Sequence, residues 1–275
     1  MLRRTNFFRL FQSNFCRSKM TVVLDIDGTL ATPGKKIDSK TIRSSDEKIG
    51  KIIIAAEHEH HLYSYAPQSI RYLYNQPDVR VVFFSSGIKE RNDEFVEKLS
   101  KLAIGSMPVG ITILSRNDLI ASKKNKIYAL GYGEHKKNIM LALKGDCKIE
   151  NAAIVEDDWS YVDAEQEKNL IYSPDPRLFS EFCIDEYFVR QNKMLFITGV
   201  LDICLLNFRR GIPVTKTLSL MPNILPDGMG RPYKPNYDLP KQRKFYEHGL
   251  SCLKTVDPNV ILKETFPDVI CRQGR

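Results

Sequence analysis

Three short apolar runs each end at a polar cluster, and this repetition constrains the fold more than any other feature of the chain. Val22-Val23-Leu24 stops at Asp25-Ile26-Asp27-Gly28-Thr29-Leu30. The run 79–84 stops at Ser85-Ser86-Gly87, and the run 152–156 ends through Glu156 in Asp157-Asp158. A continuous apolar stretch closed by turn residues is the pattern of a strand buried on both faces. Ligands of open α/β sheets bind beyond the carboxyl ends of such strands, so neighbouring strands would bring the three clusters into one crevice. Side chains alternate along a strand, which sets Asp25 and Asp27 on one side and Ile26 on the other. Two adjacent carboxylates repel unless a cation lies between them or they handle protons separately. The plainer alternative is an Asx-type turn, in which the aspartates bond local backbone and Gly28 takes positive φ.

Between these runs the pattern alternates. Residues 51–56 and 60–65 read as strands of a hairpin or of the sheet edge. A helix is predicted over 66–74, with Pro67 in its first turn and Ile70, Leu73 and Tyr74 on one face. Another follows Gly87, with Phe95, Val96, Leu99, Leu102 and Ala103 at helical spacing. Residues 111–114, 127–130 and 169–172 add short strands, 137–143 a short helix, and 31–50 an exposed polar loop. Strand, loop and helix in turn predict an α/β fold on a doubly wound parallel sheet. The expected division is a basic extension over 1–19, a core over 20–175, and a helical, loop-rich C-terminal region over 176–275 that packs on the core or docks a partner. Within that region, 194–208 is the most apolar window. It is too short to span a bilayer and carries Asp202, so it is expected to be a buried helix rather than a transmembrane span.

With 43% hydrophobic and 27% charged residues among 275, the chain is globular rather than disordered. A net charge of +8 suits an anionic partner such as phosphorylated protein, nucleic acid or a membrane surface. The basic residues come as pairs, such as Lys35-Lys36 and Lys123-Lys124, so a solvated mixed surface explains them more simply than a nucleic-acid face. Six cysteines without C-x-x-C spacing suit reduced thiols in a cytosol-like compartment, not a zinc site or disulfide framework. Residues 1–19 hold Arg3, Arg4, Arg9, Arg17, Lys19, several phenylalanines and no acid. They read as an organelle-targeting presequence or membrane-touching segment, or as an extension ahead of a start at Met20. In Glu57-His58-Glu59-His60-His61, alternation sets His58 and His60 on one face, as a two-His metal clamp or, more simply, a polar strand face at the site's rim.

Across residues 20–175, Asp25-Ile26-Asp27-Gly28-Thr29-Leu30, then Ser85, a later lysine and the Glu156-Asp157-Asp158 run resemble, in order, the four motifs of the haloacid dehalogenase (HAD) superfamily. The resemblance implies that Asp25 attacks phosphorus to give an aspartyl-phosphate, dividing a hard hydrolysis into two easier steps. Asp27 would protonate the leaving oxygen and then activate water. An acid at that position belongs to the phosphatases and phosphomutases of the family, not to its phosphonatase and dehalogenase branches. Ser85 would bond the phosphoryl oxygens, with Thr29 and the backbone near Ser86 and Gly87 completing the substrate-binding loop. Lys137, or its neighbour Lys136, would neutralise charge on those oxygens and pin Asp25. Asp157 would complete a Mg²⁺ site with the Asp25 carboxylate and the Asp27 carbonyl, supported by Glu156 or Asp158.

The intervals 31–78 and 88–136 contain core elements and leave no room for the large cap that closes over small substrates in much of the family. The stretches 61–73 and 81–85 look like the capless FCP/SCP-type branch, known as protein phosphatases. Two departures matter: Gly28 replaces that branch's usual Glu, and Ala66-Pro67 stands where it has Arg-Pro, so a phosphoserine preference does not carry over. An open site admits a phosphorylated side chain on a large partner. The expectation is a Mg²⁺-dependent phosphoprotein phosphatase with phosphotyrosine favoured, similar in layout to HAD-like tyrosine phosphatases delivered into host cells by intracellular bacteria. The rivals are a nucleic-acid end phosphatase, a small-metabolite phosphatase, and a non-catalytic binding module on the same scaffold.

Overall fold

The structure, a computed structural model, describes residues 19–36, 51–121, 135–143, 147–173, 186–221 and 239–264. The strand expected over 127–130, most of the basic extension and, from the C-terminal region, 176–185, 222–238 and 265–275 lie outside them. The elements follow in the order β1 (Met20–Leu24), β2 (Ala31–Lys36), β3 (Ile52–Ala55), β4 (His58–Leu62), α1 (Ala66–Tyr74), β5 (Val79–Phe84), α2 (Lys89–Ile104) and β6 (Thr112–Leu114). After them come β7 (Ile120–Ala121), β8 (His135–Lys136), β9 (Ala152–Glu156), β10 (Leu170–Tyr172), α3 (Glu186–Arg209), α4 (Val214–Ser219) and α5 (Leu239–Lys254).

The predicted parallel sheet is present. Five strands run in the order β10-β9-β1-β5-β6, every neighbouring pair parallel. β1 lies at its centre with all five residues buried, as its unbroken apolar run requires. Val22 and Leu24 face a core shared with α1, α2, α3 and α5, while Val23 faces a smaller core with Ile139, Ile154 and Val162. Burying both faces is what makes β1, β5 and β9 read as continuous hydrophobic runs.

Two local expectations change. The exposed loop over 31–50 begins instead with β2, which pairs antiparallel with β4, and β4 with β3; residues 37–50 lie outside the described residues. The short helix over 137–143 is a bridge at Lys137 followed by a 3₁₀ turn, Ile139–Leu141. Asn138 Oδ1 caps this turn by accepting from Met140 N at 2.9 Å, and Gln166 Oε1 accepts from Ile139 N at 2.8 Å.

The apolar window 194–208 is the buried body of α3, and no helix among the described residues is long and apolar enough to cross a membrane. Asp202, the charge inside that window, accepts from the Tyr72 hydroxyl at 2.5 Å and lies 2.8 Å from His248 Nε2. This network ties α1, α3 and α5 together, and burial with the nearby Asp202 charge pushes the Cys252 thiol up to about 12. α3 and α5 approach closely enough that only glycine fits at their crossing. A Cβ on Gly199 would stand 2.0 Å from Phe245 O, and one on Gly249 1.8 Å from Leu195 O. Gly199→Leu should therefore force the helices apart and lower stability by about 3 kcal/mol, read as a fall in Tm by thermal denaturation. An unchanged Tm would show that the crossing has slack.

Candidate active site

The carboxyl ends of β1, β5 and β9 meet at one edge of the sheet, and their register fixes which side chains converge. Asp25 N donates to Val155 O at 3.1 Å, which locks the end of β1 beside β9. Lys137 N donates to Tyr161 O at 2.7 Å and carries the lysine in from the far side. Its Nζ lies 2.5 Å from Asp25 Oδ1 and 2.5 Å from Glu156 Oε2, with all three side chains buried. Phe84 and Tyr161 hold the ammonium between their rings, at 5.9 and 5.3 Å. Lys136, one residue earlier, turns away and donates to Ser160 O.

Ligand oxygens of Asp25, Glu156 and Asp157 lie within 4.8 Å of one another. Burial pushes the Asp25 carboxyl up to about 7, with Asp157 and Asp27 adding to the rise and Lys137 opposing it. Burial and the Asp25 charge raise Glu156 well above the usual carboxylate range, and burial also raises Asp157. Burial alone would lower Lys137, but its two carboxylate partners outweigh that and raise it. Two buried acids and the half-buried Asp157 face Lys137, with the Lys193 charge also acting on Asp157, and three acids against two lysines leave a net negative cluster whose oxygen donors fit a hard divalent cation such as Mg²⁺. Gly28 shapes the same pocket. Its φ is +80°, and a Cβ there would stand 2.0 Å from Asp157 Oδ2. Asp158, the other candidate support, instead accepts from Ser160 N at 2.9 Å as a local cap and stays out of the cluster.

Asp27 belongs to a separate group. Its Oδ2 lies 2.5 Å from Arg91 Nη2 and accepts from Ser85 Oγ at 3.3 Å, while its Oδ1 lies 3.5 Å from His60 Nδ1. Burial would raise this carboxyl, but the contact with His60 and the Arg91 charge outweigh it and hold it below the usual range. The Asx-turn alternative accounts for neither Asp25 nor Asp27, whose side chains reach across the fold. Gly87 N donates to Ser85 Oγ at 3.2 Å, so the Ser85-Ser86-Gly87 loop curls around that hydroxyl. Ser86 lies at the loop's rim, where its carbonyl accepts from Arg116 Nε at 3.0 Å. Thr29 is fully buried, and its Oγ1 has no hydrogen-bond partner among the described residues.

His58 and His60 take different partners, His58 Nδ1 lying 2.8 Å from Ala56 O and His60 Nδ1 3.5 Å from Asp27 Oδ1. The polar strand face expected at the site's rim reaches the site at His60, which is fully buried edge-on against Phe95 with ring centroids 5.1 Å apart. Sequence reasoning also missed Arg91 and Lys193. Lys193, buried on α3, donates to Gly28 O and to Ser173 O, the latter at 2.7 Å, and lies 4.9 Å over the Tyr63 ring. The C-terminal region thus supplies a cation to the loop that carries Asp25 and Asp27. A charged residue at the edge of the apolar window 194–208 was the one signal available for it.

On the other side of Tyr63 opens a groove of about 750 Å³, lined in part by Lys51, Tyr65, Arg190 and Lys263. Lys263 Nζ donates to Ser64 Oγ at 3.0 Å, and burial with the Lys51 charge lowers its pKa. No carboxylate is among the groove's described lining residues, although Glu59 pairs with His61 and Asp257 with Gln68 at its margins.

No family model and no curated protein matches the chain. Among solved structures it is similar to Fcp1, an essential RNA polymerase II CTD phosphatase, with 10% identity and a TM-score of 0.37 over 88% of this chain and 66% of that one. A fission yeast Fcp1 variant bound to beryllium fluoride gives 8% identity and a TM-score of 0.35 over 88% and 67%. The chain spans about two thirds of these structures' length, and likeness at this level carries no argument about activity.

Proposed function

We propose that the chain is a HAD-type phosphatase, a Mg²⁺-dependent phosphomonoesterase of the capless kind that acts on phosphorylated protein, with phosphotyrosine favoured. The observation that carries this reading is the buried lysine bridging Asp25 and Glu156 at the sheet's carboxyl edge. A lysine held there keeps Asp25 fixed and supplies positive charge where a phosphoryl group gains negative charge.

In this mechanism Asp27 takes up a proton from solvent as the incoming phosphoryl charge offsets that of Arg91, an Asp25 oxygen attacks phosphorus, and the ester P–O bond breaks as the leaving oxygen takes that proton from Asp27. Water then attacks the aspartyl-phosphate, giving its proton to Asp27 and releasing inorganic phosphate. Ser85 and the Gly87 amide hold the phosphoryl oxygens. Asp25 and Asp157, with the Asp27 carbonyl and Glu156 behind them, are the residues that would hold Mg²⁺. Bound there, the ion screens the negative charges that Asp25 and the phosphoryl group bring together.

The deciding experiment is a panel of phosphotyrosine, phosphoserine and phosphothreonine peptides, 5′-phosphorylated oligonucleotide and p-nitrophenyl phosphate, each with and without Mg²⁺. Hydrolysis of phosphopeptide that needs Mg²⁺ is expected. Turnover of the oligonucleotide alone, or of none of them, would sink the reading. The cationic groove favours a macromolecular anionic substrate over a small one. Combined Lys51→Glu and Arg190→Glu should raise KM for an acidic phosphopeptide about tenfold more than KM for p-nitrophenyl phosphate. Equal changes for both would detach the groove from substrate binding.

A further inference from the structure

Arg91 sits in the first turn of α2 and reaches back over the Ser85-Ser86-Gly87 loop. Its Nη2 lies 2.5 Å from Asp27 Oδ2, 3.1 Å from Ser85 Oγ and 3.1 Å from Asn92 Oδ1. One nitrogen with two hydrogens thus faces three acceptors, while Nη1 has no acceptor among the described residues. The loop is shaped for this approach, because a Cβ on Gly87 would stand 1.8 Å from Nη2. Asn92 fixes the loop from below, its Nδ2 donating to Ser85 O at 3.4 Å and Gly87 O at 3.3 Å. The Arg91 side chain is 16% exposed and that of Asp27 24%, so the pair lies at the crevice mouth within reach of an entering anion.

A phosphoryl oxygen bonded by Ser85 comes within reach of Nη2, and it brings a dianion where Asp27 offers one negative charge. A guanidinium fork matches a phosphoryl edge better than a single carboxylate oxygen. We propose that Arg91 is a phosphate ligand that gives up its ion pair with Asp27 for the phosphoryl oxygens of the substrate, an inference that rests on the phosphatase reading. The exchange frees Asp27 Oδ2 for the leaving oxygen. Asp27 keeps a second partner, because its Oδ1, buried without a hydrogen bond, lies 3.5 Å from His60 Nδ1. Arg91 therefore covers Asp27 until a phosphoryl group arrives and binds that group afterwards.

The probe is inorganic phosphate, titrated calorimetrically into the full chain with Mg²⁺ at one pH, in four proteins: wild type, Asp27→Asn, Arg91→Gln and the double variant. If phosphate and Asp27 compete for Arg91, Asp27→Asn should tighten phosphate binding about tenfold, and that gain should vanish in the Arg91→Gln background. Arg91→Gln alone should weaken binding about tenfold. Arg91→Lys, which keeps the helix and the charge but loses the fork, should fall between it and wild type and guards against a folding defect. A gain of equal size with and without Arg91 would mean that Asp27 acts by charge alone, and the proposal fails. It fails too if Arg91→Gln leaves phosphate affinity unchanged, since Arg91 is then only a structural partner of Asp27. If none of the proteins binds phosphate and none hydrolyses a phosphoester, the phosphatase reading itself has failed.

Discussion

Asp25→Asn should abolish phosphoester hydrolysis, with a fall in kcat of about 10³-fold or more, and at the same time make the metal-free protein harder to unfold. The two effects share one cause. The Asp25 carboxyl, the proposed nucleophile, is fully buried beside Glu156 and Asp157, and its pKa is pushed up to about 7 in the fold from an ordinary value near 3.8. The folded chain therefore keeps a proton on Asp25 that the unfolded chain releases. Metal-free stability falls as pH rises between these two values, and the full cost of the buried charge is felt above pH 7. Asparagine removes that cost but keeps a polar group within reach of Lys137. At pH 8 without Mg²⁺ the variant should gain about 1–3 kcal/mol over wild type, and the gain should fade toward pH 4. Adding Mg²⁺ should reverse the order, because the cation stabilises the wild-type cluster of three acids more than the variant's two. Thermal melts at pH 8 and pH 5, with and without Mg²⁺, read all four conditions. A variant no more stable than wild type at pH 8 would mean that Lys137 already compensates Asp25 in full.

Such a trade of stability for chemistry explains which parts of the site the sequence could disclose. Asp25, Ser85 and Asp157 were legible because each follows a strand buried on both faces, and that burial is written locally as an unbroken apolar run. The hairpin of β3 and β4 was only partly legible. Its turn places Ala56 and Glu57 at positive φ, 45° and 64°, without the Asn or Gly that usually marks such a turn. The strain is met from α2, where Glu94 accepts from Ala56 N at 2.7 Å and Lys98 donates to Ile54 O at 2.8 Å. Both contacts are remote in sequence.

His60 shows the same limit in another form. Alternation said which face of β4 it shares with His58, but not that Phe95 and Asp27 would bury that side of the ring. The choice between Lys136 and Lys137 could not be made from spacing, since adjacent residues on extended chain point opposite ways and either face could have been inward. Arg91 and Lys193 lie furthest from view, because each is an ordinary charged residue on a helix until the chain brings Asp27 or Gly28 against it. Lys193 also explains why the C-terminal region contributes to the site although it carries none of the motifs.

Lys137→Ala should be the most damaging single change to folding in the site. In the native chain Lys137 Nζ lies 2.5 Å from each of two buried carboxylates, Asp25 and Glu156. Removing it leaves Asp25 and Glu156 without their shared cationic partner, and breaking a buried pair from one side costs about 3–5 kcal/mol. For a chain of this size that is a fall in Tm of roughly 10 °C. The loss should be largest above pH 7 and shrink toward pH 5, as the two acids take up protons and cease to repel. Under the proposed mechanism hydrolysis should be lost at every pH, because the charge that would face the phosphoryl group is gone. Lys137→Met separates charge from packing, since it keeps most of the side chain's volume between Phe84 and Tyr161. If the ammonium holds the site together, methionine should melt nearly as early as alanine at pH 8 and recover much of the difference at pH 5. A methionine variant as stable as wild type at pH 8 would show that the lysine's carbon chain, and not its charge, carries the stability.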